Sequence, residues 1–290
     1  DDLSKDSTFN KAECLSYEDN RIKVIKGKEL PDDWLGKNWA CKQLSEIASG
    51  DYLLFIDADV SLENNAIESA LFEIENTDSD MLSVFPDQIM KTFGEKITVP
   101  IINWLMISFL PVVNVRKSSD KFYAAANGQF MLWRKEVYFQ SGGHEIVKDK
   151  IVEDIELARL LKIIKYKINL LLPGKLVSCR MYNSFNEGVN GFTKNFFPAS
   201  GIKGWQFILI LLVIAFVYLF PLIAVFNNTF YLSTIFLIIL QRLLVSILSN
   251  QNIFVNIVFY PLQMITMFYI GIKSIIAING SGVYWKDRKL

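Results

Sequence analysis

A chain of 290 residues, 51% of them apolar, is long enough to bury one full-sized core and leave residues for a second, apolar unit. Thirty Lys and Arg balance thirty Asp and Glu, and no basic run breaks the mixture, so the charge pattern excludes nucleic acid as a partner. The three cysteines, Cys14, Cys41 and Cys179, are widely spaced and form no C-x-x-C pair, which argues against a disulfide framework or a zinc cluster and fits a reducing compartment.

In chain order, residues 22–25 read as a first short strand. Between 38 and 48, Ala40, Leu44, Ile47 and Ala48 recur at helical spacing and predict a helix with these residues inward, ended by Gly50-Asp51. Residues 52–56 are an unbroken apolar run, the pattern of a central strand buried on both faces, and they deliver Asp57-Ala58-Asp59 at the carboxyl end. A helix over 66–75 and a strand over 81–85 follow. This alternation predicts an α/β fold with a mainly parallel sheet, in which ligands bind outside the carboxyl ends of the strands. Residues 99–115 are apolar but interrupted by Pro100 and Pro111, which predicts a buried or membrane-surface helix. Residues 124–133 form another strand entry, with Asn127-Gly128-Gln129 as a polar interruption. Gly142-Gly143-His144 is a loop, and 154–164 a helix with Ile155, Leu157, Ala158 and Leu161 inward.

After Gly204 the composition changes. No charge occurs from Trp205 to Leu240, nor between Arg242 and Lys273. The stretch divides into 205–226, 230–249 and 253–278, each near the roughly 20 residues that a membrane-crossing helix needs. A buried bundle of a soluble protein is the alternative, although helices of such bundles keep a polar stripe. The chain is thus expected to have two units, 1–204 and 205–290, with the polar unit on the cytosolic side. Three spans put the C-terminus outside, whereas Lys286, Arg288 and Lys289 favour the cytosol by the positive-inside tendency; the span count predicts an external C-terminus.

Two acidic pairs bear on chemistry. Asp57 and Asp59 project from the same side of a strand end and call for a cation, since Mg²⁺ is commonly held by one or two carboxylates plus substrate phosphates; a solvated acidic turn is the other reading. Glu153-Asp154 opens a helix, where acidic residues favour the dipole. The pair reads either as capping or as the source of a general base.

The ordered series Asp1-Asp2-Leu3-Ser4-Lys5-Asp6-Ser7-Thr8, Gly36-Lys37-Asn38-Trp39-Ala40, Asp57-Ala58-Asp59, Asn127-Gly128-Gln129-Phe130, Gly142-Gly143-His144 and Glu153-Asp154 resembles the family 2 glycosyltransferases. Within that family it looks most like the membrane enzymes associated with carotenoid and hopanoid glycosylation, a likeness that extends to the terminal Val283-Tyr284-Trp285-Lys286-Asp287-Arg288. The resemblance implies a GT-A nucleotide-sugar-binding domain followed by transmembrane helices. It implies Asp2, with Asp1 beside it, at the nucleobase and Lys37 at the donor nucleotide. Asp57 would meet the donor's sugar or ribose, and Asp59 with Asp57 would hold Mg²⁺ or Mn²⁺ against the diphosphate. Asp154 would be the catalytic base, kept ionised by the helix dipole and a nearby lysine. Asn127, Gly128, Gln129, His144 and Glu153 would line the acceptor side.

Processive members carry Q-x-x-R-W after the E-D helix. Here Arg180-Met181-Tyr182 and Gly191-Phe192-Thr193-Lys194-Asn195 stand in its place, so one sugar per acceptor is expected. Arg180 and Lys194 would meet donor phosphate or acceptor, or serve as juxtamembrane charge. The implied reaction is inverting transfer of a hexose from a nucleotide-sugar, of the UDP class, to a lipid or isoprenoid-type acceptor at the cell membrane, with the catalytic domain cytoplasmic. Two alternatives stand beside it. An apolar strand ending in D-x-D-x-V also resembles haloacid-dehalogenase phosphatases, although no G-D-x-x-x-D follows, and a non-catalytic membrane scaffold would need no chemistry at all. If Asp1-Asp2 is the family's D-D segment, it ends a strand, and the resemblance then implies a fragment lacking its first strand, poorly folded on its own.

Overall fold

The computed structural model describes residues 1, 2, 4–280, 284, 285, 288 and 289. Leu3 of the opening motif and Val283, Lys286 and Asp287 of the terminal motif lie outside the described residues.

The α/β part runs α1 (Thr8–Glu18), α2 (Gly36–Ile47), β1 (Tyr52–Ile56), β2 (Val60–Leu62), α3 (Ala66–Asn76), β3 (Met81–Val84), β4 (Asp87–Gln88), α4 (Phe93–Thr98), α5 (Pro100–Phe109) and α6 (Val112–Lys117). It continues through β5 (Phe130–Arg134), α7 (Lys135–Gln140), α8 (Gly143–Ile146), α9 (Glu153–Ile163), β6 (Ile168–Leu171) and β7 (Val177–Cys179). Then come α10 (Phe185–Ser200), α11 (Gly204–Ala224), α12 (Tyr231–Leu248), α13 (Ile253–Val258) and α14 (Tyr260–Asn279).

The main sheet has the order β1-β5-β3-β6. β5 is antiparallel to both β1 and β3, while β3 and β6 are parallel. Three strands therefore share one direction, and one reversed strand is inserted among them. The reversal matters for position. Ile56 at the carboxyl end of β1 pairs with Phe130 at the entry to β5, so Asn127-Gly128-Gln129 arrives beside Asp57. Alternation along β5 sends Met131 and Trp133 to the face covered by Leu157, Ala158 and Leu161 of α9, and Phe130 and Leu132 to the face covered by Ala66, Ala70 and Ile74 of α3.

Several expectations need correction. Residues 22–25 form no strand; instead the Asp1 ammonium donates to Ile25 O at 2.8 Å and Gly27 N to Asp1 O at 2.8 Å. Among the described residues β1 lies at the sheet's edge rather than at its centre, and Ile56 is 39% exposed. On α2 the expected face turns inward only in part: Ala48 packs against the core and Ala40 is half-buried, but Leu44 and Ile47 are exposed while Asn38, Gln43 and Ser45 are buried. The cause is the surface that α2 meets. Asn38 Nδ2 donates to Val147 O at 2.7 Å and Lys150 O at 3.1 Å, and Gln43 Oε1 accepts from Lys28 N at 2.8 Å. Loop backbone left unpaired in the interior costs more than apolar exposure gains, so the polar side chains that satisfy it face inward.

Residues 99–115 fold as α5 and α6, with Pro100 in the first turn of α5 and Pro111 capping α6. Trp104 of α5 is buried edge-on against Phe109 and Tyr218. Gly142 and Gly143, at φ 85° and 50°, lead directly into α8, where a loop was expected. Ile155 of α9 is only partly buried. The apolar stretch supplies three helices long and apolar enough to cross a membrane, Gly204–Ala224, Tyr231–Leu248 and Tyr260–Ile278. The third expected span breaks at Phe259, because Pro261 stands in the first turn of α14 and cannot donate to the preceding turn.

Candidate active site

α2 and α9 present their first turns to each other because Asn38 grips the 147–150 loop that leads into α9. Between those turns comes the end of β1, with the entry to β5 on its other side. Four segments thereby meet at one ammonium group. Lys37 Nζ stands 2.9 Å from Asp57 Oδ1 and 2.9 Å from Glu153 Oε1. Asp154 takes its own donors from the backbone, with Gly128 N at 2.8 Å from Oδ2 and Ile155 N at 2.8 Å from Oδ1.

Glycine at 128 leaves room for this approach. A Cβ there would stand 2.9 Å from Lys37 Nζ and 3.1 Å from Glu153 Oε1, so a larger residue would make the ends of these two side chains give way and disturb the ion pair.

The three carboxyls are tuned apart. Burial opposes the charge of Glu153, but the Lys37 ammonium outweighs it and holds the pKa below the ordinary carboxylate range. Burial raises Asp57, with Lys37 offsetting part of the rise. Asp154 is pushed up to about 6, by burial and then by the neighbouring Glu153 charge, against the pull of Lys37 and the two backbone donors. Burial also works against Lys37, yet the two carboxylates raise its pKa well above the ordinary lysine value. The expected lysine does favour the ionised form of Asp154, but from a distance: its ion pairs go to Asp57 and Glu153, and burial with the Glu153 charge outweighs its pull.

Asp59 is exposed on the turn into β2. Beside it is the Cys179 thiol, pushed up to about 12 by burial and then by the Asp59 charge. Among the described residues no three His, Cys, Asp or Glu side chains converge as a ready-made metal cluster. With both Asp57 oxygens facing Lys37 at 2.9 and 3.2 Å, Asp59 is the better placed ligand of the pair. One or two carboxylates completed by diphosphate oxygens make a donor set that Mg²⁺ accepts, so the residues fit an ion brought in with a nucleotide.

The acceptor-side candidates divide. Asn127 N donates to Ser83 Oγ at 2.8 Å, and Asn127 Oδ1 accepts from Gln129 N at 2.9 Å. Gln129 Nε2 donates to Cys179 Sγ at 2.9 Å, which joins this segment to the Asp59 side. His144 is within electrostatic reach of Glu153 and Lys37 but fully buried, with Nδ1 2.8 Å from the Tyr138 hydroxyl and its ring against Phe55. Burial lowers its pKa to about 4, so it is a neutral core histidine and lines no open acceptor face. Arg180 Nη2 donates to Glu95 Oε1 at 2.8 Å and ties the end of β7 to α4 rather than joining the Lys37 cluster. Lys194 is half-buried on α10. Asp1 bonds Ile25, Gly27 and Ser4, with the half-buried Asp2 beside it.

Ser83, Cys179 and Asn38 brace the site and escaped sequence reasoning. Ser83 alone carried a signal, a lone hydroxyl inside the apolar strand β3.

Residues 1–138 match the family described as Glycosyl transferase family 2, a range that holds Lys37, Asp57, Asp59 and Gly128 and stops short of Glu153 and Asp154. A 4,4'-diaponeurosporenoate glycosyltransferase of Staphylococcus aureus strain MRSA252 is 25% identical over 202 residues, 69% of this chain and 53% of its own length. The protein of the same name from strain USA300 is 28% identical over 171 residues, 58% of this chain and 45% of its own. The chain thus spans about half the length of the curated relatives it matches.

Proposed function

From the glycosyl transferase family 2 domain in residues 1–138, we propose that this chain is an inverting glycosyltransferase that moves a hexose from a nucleotide-sugar, of the UDP class, to a lipid or isoprenoid-type acceptor at the membrane, with its catalytic face cytoplasmic. The observation that carries the reading is Asp154, a carboxyl at about 6 held by the Gly128 amide at the rim of the Lys37 cluster. The three apolar helices and the name that the two relatives share support an apolar acceptor.

Each residue then has a task. Lys37 holds Asp57 and Glu153 in place and keeps Glu153 charged, which in turn raises Asp154 towards the working range of a general base. Asp154 accepts the proton of the acceptor hydroxyl as that oxygen attacks the anomeric carbon, and a single displacement inverts the centre. Asn127 and Gln129, braced on Ser83 and Cys179, position the acceptor. Asp59, with Asp57 at its side, would hold Mg²⁺ or Mn²⁺, and a bound ion supplies Lewis-acid stabilisation of the charge that grows on the leaving diphosphate.

Asp59→Asn is expected to remove Mn²⁺-dependent binding of a nucleoside diphosphate, measured by calorimetry, because the ion loses its better placed carboxylate. Undiminished metal-dependent binding would refute the role. The pH profile carries its own sign. A base must be unprotonated to act, so with Asp154 at about 6 the value of kcat/KM should rise with pH up to about 6 and level off above it. An acid limb near the ordinary carboxylate value would mean that some other group is titrating. Turnover of a nucleotide-sugar panel by membranes containing the protein, followed by mass analysis of the lipids, tests the reading as a whole.

A further inference from the structure

α10 touches both halves of the candidate active site. In its first half a Cβ on Gly188 would come within 2.5 Å of Thr98 Oγ1 of α4, and one on Gly191 would collide with the Tyr182 hydroxyl, so glycine lets the helix press onto the α/β part at both positions. Tyr182 lies on the Asp59 side: burial, and then the Asp59 charge, push its hydroxyl above the ordinary tyrosine value. At the far end of α10, Arg159 Nη2 of α9 donates to Ala199 O at 3.1 Å, and α9 carries Glu153 and Asp154 in its first turn. The helix therefore runs from the Asp59 side to the Asp154 side.

The same contacts fix which way α10 is turned. Gly188 and Gly191 face the α/β part, and steps of three and four residues continue that face through Asn195 to Ala199. α14 holds the other side, with Lys273 Nζ donating to Asn190 Oδ1 at 2.7 Å and Phe197 N donating to Ser274 Oγ at 3.0 Å. Asn195 is half-buried, one turn past the residue over Tyr182 and one turn before the residue held by Arg159. Its Oδ1 is closed off from solvent and accepts from no donor among the described residues. A buried amide oxygen without a donor is unfavourable, and a ligand hydroxyl brought to the site would supply one.

We propose that Asn195 reads the sugar being transferred, reaching from α10 between Asp59 and Asp154 with Oδ1 accepting from one ring hydroxyl and Nδ2 donating to the next. The proposal rests on the transfer reaction proposed above, which puts the diphosphate at Asp59 and the attacked anomeric carbon within reach of Asp154. The sugar then lies between the two, under the middle of α10. A carboxamide offers an acceptor and a donor side by side, the pattern that complements adjacent hydroxyls of a hexose. Sites built this way reject a sugar that lacks the hydroxyl, because the amide is then left unpaired. Asn195 is thus a specificity-determining residue, separate from the groups that would hold the metal and the proton.

The test titrates a panel of nucleoside diphosphate hexoses, and the free nucleoside diphosphates, into the detergent-solubilised full chain with Mn²⁺ present. In Asn195→Leu the dissociation constant of the best-bound hexose donor is expected to rise about tenfold, the worth of one or two hydrogen bonds, while that of the matching free nucleoside diphosphate stays within about twofold. Exchange of an unpaired buried amide for an apolar group of similar shape is neutral or stabilising, so the midpoint of thermal inactivation should hold or rise. Asn195→Ala, which adds no bulk, is expected to show the same selective loss. Unchanged hexose-donor affinity in both variants overturns the proposal, and so does an equal loss of both ligands, which would assign Asn195 to the diphosphate or to the fold. A parent chain that binds no member of the panel overturns the underlying transfer reaction, and the proposal with it.

Discussion

Asp154→Asn is expected to lower the transfer rate by about 10²–10⁴-fold, the usual worth of a positioned general base, while donor binding stays nearly intact. The substitution is close to isosteric, and the Asn carbonyl can still accept from Gly128 N, which now reaches Asp154 at 2.8 Å. What disappears is the capacity to take a proton. The loss should therefore fall on kcat rather than on the dissociation constant of the donor nucleotide. The acid limb near pH 6 should vanish from any residual activity, since the group titrating at about 6 is gone. Transfer within tenfold of the parent rate would remove Asp154 from the mechanism.

Lys37→Met should act on the whole cluster. It leaves Asp57, Glu153 and Asp154 together without the cation that bonds the first two at 2.9 Å each. Breaking a fully buried pair costs about 3–5 kcal/mol and an exposed one about 0–1. The Lys37 side chain is 41% exposed and that of Glu153 only 8%, so a loss of about 1–3 kcal/mol is expected, read as a fall in the midpoint of thermal inactivation. Removing Lys37 takes away both a charge that lowers Asp154 and the cation that keeps the neighbouring Glu153 charged, so the acid limb of kcat/KM should shift from about pH 6. An unchanged midpoint together with an unchanged limb would show that Lys37 does not organise the three carboxyls.

Much of this arrangement is visible in the residues themselves. The apolar run of β1, the helical repeat of α3 and the inward Leu157, Ala158 and Leu161 of α9 all follow from burial periodicity, which is a local property. What escaped is non-local. The reversed direction of β5 leaves no trace in hydropathy, yet it alone brings Gly128 beside Asp57. The polar inner face of α2 follows from loop carbonyls more than 100 residues away, with which Asn38 pairs. His144 stood out as the chain's only histidine, but its burial is decided by Phe55 and Tyr138, which only the folded chain gathers around it. Lys37 was singled out by family resemblance alone, since one lysine at a helix start carries no signal of its own.

The amide of Gly128 belongs to the same three-residue segment that would meet the acceptor, so the proposed base and the proposed acceptor contact are joined by one backbone hydrogen bond. While the segment is at rest its N–H stabilises the Asp154 carboxylate and restrains its appetite for a proton. Any displacement of this segment that lengthened the bond would remove one of the two backbone donors that lower Asp154 and would make its carboxylate more basic.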